Sequence, residues 1–254
     1  METNVNQLNL TAVPAVVHEA ITALAALTNE ILGKQIRGIT VVGSCLTQDY
    51  VSGVSDINTV LLLDQLDQNV LEKIVGLAGR LPKKHHLALP LLMTEAYITR
   101  SCDVFGMEFL DFQLSHQAVW GQDPFVKLSF AKDDVRLQCE RELKASLIRL
   151  RQGFIAARAK APILRDVLIG AIKTVLPLLR AMLWLTDQQR APETETTLTR
   201  AAQAFSLDLA PFKTIISWHR ERAKPKMPDL TPVFSQTYTL IDQLADRVDE
   251  WEAA

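Results

Sequence analysis

The sequence predicts an α/β (α+β) domain, a mixed sheet with flanking helices, followed by an all-α helical bundle. Three observations predict it. Two apolar, strand-like runs at 39–42 (ITVV) and 57–63 (INTVLLL) enclose a short loop. From residue 133 onward no strand pattern recurs, and apolar residues repeat every three or four positions. With 48% hydrophobic residues, a chain of 254 residues can bury one large core or two modest ones.

Taken in order, 12–32 spaces its apolar residues as a helix does, with Thr11 as its expected cap, Pro14 tolerated in the first turn and Gly33 at its end. The first strand follows, closed by the tight turn Gly43-Ser44. Asp56, Ile57 and Asn58 open the second strand. Side chains alternate along a strand, so Asp56 and Asn58 are presented side by side on one face. Residues 67–81 read as an amphipathic helix and 83–86 (KKHH) as a polar connection. The run 87–93 contains Pro90, which lacks a backbone donor, so an edge or irregular strand is expected there. Thr94 is placed to cap a brief helix through Arg100, and 107–113 (MEFLDFQ) reads as a further strand holding Asp111 between Leu110 and Phe112.

A domain boundary is expected near 122–132, giving domains 1–125 and 126–254. In the second, Val135, Cys139, Leu143, Leu147, Leu150 and Phe154 form one stripe of a long helix. Pro162 suits the start of the next helix, and Pro177 inside it predicts a kink or interruption. Segments 192–205, 209–222 and 232–251 complete a bundle of about five helices.

Composition excludes several function classes. A formal charge of −2 gives no global attraction for polyanions, so nucleic acid is not an expected partner. Cys45, Cys102 and Cys139 are odd in number and lack metal spacing, as reduced thiols in a cytoplasm would be. The N-terminal METNVNQLNL has an acid and no basic region before an apolar stretch, which argues against a secretory signal and for a cytoplasmic protein. The apolar span 163–185 carries Arg165, Asp166, Lys173 and Arg180, as a buried helix does and a membrane span does not.

The stretch 39–63 resembles the nucleotidyltransferase superfamily that includes DNA polymerase beta and the aminoglycoside adenylyltransferases. The resemblance rests on Gly43-Ser44 at the end of a strand, the spacer 45–55, and Asp56-Ile57-Asn58 opening the next strand. It extends to about Phe125 through Asp111 and the turn ending in Trp120-Gly121. It implies a nucleotidyltransferase-like domain followed by a helical domain, magnesium as cofactor, and a nucleoside triphosphate (NTP) whose monophosphate passes to a small-molecule or protein hydroxyl.

The resemblance assigns Asp56, Asn58 and Asp111 as catalytic residues and metal ligands. Gly43 and Ser44 become the nucleotide-binding residues. Apart from the resemblance, Lys173 and Arg180, seven positions apart, share a helix face, and Lys173 is the candidate cation for the triphosphate, beside the commoner reading of solvent-exposed charge. The chain departs from the family at Asn58, where the family has a second acid. An amide oxygen can ligate magnesium but brings no charge. At an effective dielectric near 20, a unit charge about 4 Å from another is worth roughly 4 kcal/mol, so occupancy by two metal ions is weakened. The alternative is therefore a degenerate relative that binds nucleotide or a protein partner without transfer. The acceptor and the oligomeric state, a homo-oligomer included, are not written in the sequence.

Overall fold

The computed structural model describes residues 8–81 and 86–251. The chain divides into two compact units, one made of 1–102 and 112–129, the other of 103–111 and 130–254. The polar connection expected at 83–86 lies outside the described residues except for His86.

The first unit is built on a four-stranded mixed sheet. Helix α1 (Ala15–Leu32) leads into β1 (Ile36–Val42), then β2 (Asn58–Leu63), α2 (Gln68–Arg80), β3 (Leu91–Thr94) and α3 (Glu95–Arg100). After α4 (Gly106–Leu114), β4 (His116–Gly121) returns to the sheet. The spatial order is β3-β2-β1-β4. β1 is antiparallel to both β2 and β4, while β3 is parallel to β2. One sheet face is covered by α1 and α2. Ile21 and Leu24 of α1 and Val70 and Leu77 of α2 share a core with Ile39, Val41, Ile57 and Leu61.

Several local expectations are met by the side chains expected to meet them. Thr94 caps α3, its hydroxyl accepting from the Tyr97 amide at 3.1 Å. Pro90 falls just before β3, an edge strand, where its missing donor costs no ladder bond. Others are corrected. Thr11 does not cap α1: its hydroxyl donates to Asn9 Oδ1 at 2.8 Å, and Pro14 stands at the N-cap.

The segment 107–113 is not a strand. It lies within α4, where Met107 and Leu110, one helical turn apart, are both buried in the second unit's core. Seven residues of mixed apolar and acidic character fit either period, and tertiary burial decided for the helix. The strand that the sheet does use is β4, which reads in the sequence only as a turn.

The second unit is helical: α5 (Lys132–Ala157), α6 (Ala161–Leu185), α7 (Thr194–Phe205), α8 (Ala210–Arg220) and α9 (Met227–Asp249). The α5 stripe from Val135 to Leu150 is buried against residues of α6 and α9, including Leu168, Ile172, Leu244 and Val248. Phe154 departs from it. It is 41% exposed and stacks on Phe234 at 4.6 Å. α6 runs unbroken through Pro177, and α9 begins at Met227, so that Pro232 lies inside it. α1 with the turn after it, and α6, are long and apolar enough to cross a membrane, but each buries a face in its own unit's core.

Candidate functional site

β1 ends at Val42 because the next residue turns the chain. Gly43 has φ 82°, a conformation that side-chain-bearing residues rarely adopt. Its amide donates to the Ser115 carbonyl at 2.9 Å, and the Ser115 hydroxyl donates to the Gly43 carbonyl at 2.9 Å. That carbonyl also accepts from the Leu46 amide at 3.1 Å, closing a short 3₁₀ turn over Ser44–Leu46. The Ser44 carbonyl is taken by the amide and hydroxyl of Thr47. Among the described residues nothing accepts from the amides of Ser44 and Cys45, the first donors of that turn. Ser44 is exposed, whereas Cys45 is fully buried, and burial pushes its thiol up to about 12. Cys45 therefore fills space and is no nucleophile.

Asn58 opens β2 directly opposite Val42, and its Nδ2 lies 4.0 Å from where a Cβ on Gly43 would stand. Asp56 and Asn58 are both exposed, and Ile57 between them is buried, as strand alternation requires. The Asp56 carboxylate has no hydrogen bond or ion pair among the described residues. On the β3 side, Ile57 exchanges hydrogen bonds with His86 and Ala88. The residues that reach this point, Leu87, Ala88 and Leu89, carry no acid.

Asp111 belongs to the second unit and is already engaged. Its Oδ1 accepts from Arg180 Nη1 at 2.9 Å, with side-chain exposures of 21% and 13%. Arg180 also donates to the Pro192 carbonyl at 2.8 Å and the Thr197 hydroxyl at 3.3 Å. Arg190 donates to the Leu110 carbonyl at 2.9 Å, and burial lowers its pKa against the opposing pull of Asp111. Asp111 thus sits among partners that tie α4 to α6 and to the segment before α7. Glu108 is bonded to Gln138, which also accepts from the Met107 amide. Lys173 is exposed on α6.

These residues do not fit a pair of magnesium ions. The exposed pair offers one carboxylate and one neutral amide. Among the described residues no three His, Cys, Asp or Glu side chains come together as metal ligands.

Sequence reasoning missed Ser115, which lies 72 positions from Gly43 and carries no local signal. His116 next to it is held as a structural residue. Its ring nitrogens face the Phe112 carbonyl at 2.9 Å and Asp123 Oδ2 at 3.0 Å.

A strand ending in Gly-Ser, an acid and an amide opening its antiparallel neighbour in a mixed sheet, and a second, helical unit give a nucleotidyltransferase-like α/β fold with a helical domain. No family model and no curated protein sequence matches the chain. Among solved structures it is similar to the spectinomycin adenyltransferase AAD(9) from Enterococcus faecialis, crystallised with ATP and spectinomycin. The TM-score is 0.56 at 11% identity, over 92% of this chain and 99% of that one.

Proposed function

We propose that the protein binds a nucleoside triphosphate on the Gly43-Ser44 turn and does not transfer its nucleotidyl group. One observation carries this reading: the exposed pair beside the turn is Asp56 with Asn58, a single carboxylate where nucleotidyl transfer by two metal ions needs several. The undonated amide and the hydroxyl of the exposed Ser44 are suited to phosphate oxygens. Asp56 and the amide oxygen of Asn58 are two donors for one magnesium ion arriving with the triphosphate. Asp111, neutralised by Arg180, is a structural carboxylate in this reading.

A second reading, transfer to a small-molecule or protein hydroxyl, is favoured by the fold likeness to an enzyme crystallised with ATP and its antibiotic. Calorimetric titration with ATP, GTP, CTP and UTP, with and without magnesium, tests binding. Release of labelled pyrophosphate tests transfer. Binding without release supports the first reading, release supports the second, and failure of all four nucleotides to bind removes both.

A further inference from the structure

The second unit carries a concentration of positive charge at one end that the nucleotide reading does not use. Segment 158–166, across the turn from α5 to α6, and segment 219–229, from the end of α8 into α9, together hold seven Lys or Arg and three Asp or Glu. The whole chain has a formal charge of −2, so this end opposes the sign of the rest. The two segments are joined directly: Arg165 Nη1 donates to the Ala223 carbonyl at 3.3 Å.

Between them lies a cavity of about 500 Å³ lined by Ala161, Pro162, Arg165, Lys224, Lys226 and Met227, with Pro225 between the two lysines. Both lysines are exposed, and neither has an acidic partner among the described residues. Two acids do stand close by. Asp166 pairs with Arg165 at 2.8 Å from a side chain that is 64% exposed. Asp229 accepts from the Lys226 amide at 3.0 Å and so occupies the start of α9. That carboxylate is therefore engaged by the backbone, and the lysine side chains remain. Nearby, burial, Lys173 and Arg165 together lower the pKa of His219, as a positive local field would.

We propose that this cavity binds a small ligand bearing two or more phosphate groups, with Lys224, Lys226 and Arg165 contacting its oxygens. Charge-assisted contacts from several cations to one polyphosphate reinforce one another, and Ala161, Pro162 and Met227 line the same cavity. A concave site of this volume suits a molecule of metabolite size. A nucleic acid backbone is better met by an extended stripe.

The test is calorimetric titration of the full chain with inorganic tripolyphosphate in magnesium-free buffer at low salt. Binding at one site is expected, weakened about tenfold or more in the Lys224→Glu/Lys226→Glu double variant. It is expected to be unchanged in Lys34→Glu/Lys127→Glu, which reverses two exposed lysines of the first unit. Both lysine side chains are exposed, and an unaltered melting temperature will confirm that the double variant folds. The proposal is overturned if tripolyphosphate does not bind or if the control pair weakens it equally. Tight binding of a single-stranded oligonucleotide lost in the double variant, with no binding of tripolyphosphate, overturns it in favour of nucleic acid. Failure of every NTP to bind, with tripolyphosphate still held through Lys224 and Lys226, removes the nucleotide reading and leaves this one standing.

Discussion

Ser115 grips Gly43 from both sides, its carbonyl accepting from the Gly43 amide and its hydroxyl donating to the Gly43 carbonyl, each at 2.9 Å. The pairing extends the β1–β4 ladder one residue past Val42 and His116 and fixes the turn that carries the exposed Ser44. Ser115→Ala removes one of the two bonds, a loss of about 1 kcal/mol. Calorimetry is expected to show nucleotide affinity falling several-fold, with the melting temperature nearly unchanged. An unaltered affinity would mean that the turn does not hold the nucleotide.

Asn58→Asp places a second carboxylate beside Asp56. The added charge is worth roughly 4 kcal/mol against a unit charge at about 4 Å before desolvation is subtracted, so magnesium affinity is expected to rise. Magnesium titration of the nucleotide-bound variant, followed by a pyrophosphate-release assay, reads this out. A wild-type chain that already transfers, with activity comparable in the variant, would place the protein among the active enzymes.

Asp111→Asn leaves the Arg180 guanidinium, 13% exposed, without its counter-charge. Discounting for the partial exposure of both groups, a loss of about 1–3 kcal/mol of stability is expected, read from denaturant midpoints. A structural carboxylate predicts that nucleotide affinity stays within a factor of about two while stability drops. The reverse pattern would give Asp111 a role at the nucleotide.

Gly121 has φ 73°, and a Cβ there would collide with the Arg37 carbonyl. Gly33, at φ 51°, has nothing within 4 Å of the same position. Gly33→Ala is expected to cost about 1 kcal/mol from backbone strain alone, and Gly121→Ala several kcal/mol because the β1–β4 pairing must also shift. Thermal unfolding of the two variants checks the contrast.

Burial pushes the thiols of Cys45 and Cys139 up to about 12 from an ordinary 9.0, with Glu108 adding to the effect at Cys139. The folded state thus holds these protons more tightly than the unfolded chain does. Their contribution to stability is fully present below about pH 9 and is lost as pH rises through about 12. The melting temperature is expected to fall steeply over that window, and less so in Cys139→Ala than its lower starting stability implies. In the native protein at neutral pH, a thiol reagent is expected to label Cys102 alone.

Much of both units was legible because the signals are local. The alternation that sets Asp56 and Asn58 outward and Ile57 inward needs only the two-residue period of a strand. The α5 stripe needs only the 3.6-residue period of a helix, and the Thr94 cap only a hydroxyl three residues before an amide.

What the sequence by itself determined is therefore the order of the units, the Gly43-Ser44 turn and the neighbouring acid and amide. The tertiary structure decided the rest. It made 107–113 a helix by giving Met107 and Leu110 a core to enter, and it recruited 116–121 as the strand beside β1. It also joined Asp111 to Arg180 across 69 residues and Ser115 to Gly43 across 72. Repeats of two to four residues reveal which bonds a backbone makes with itself. A carboxylate or a hydroxyl is assigned its partner only when distant segments are brought together, and here that assignment separates Asp56, left open beside the turn, from Asp111, tied into the helices.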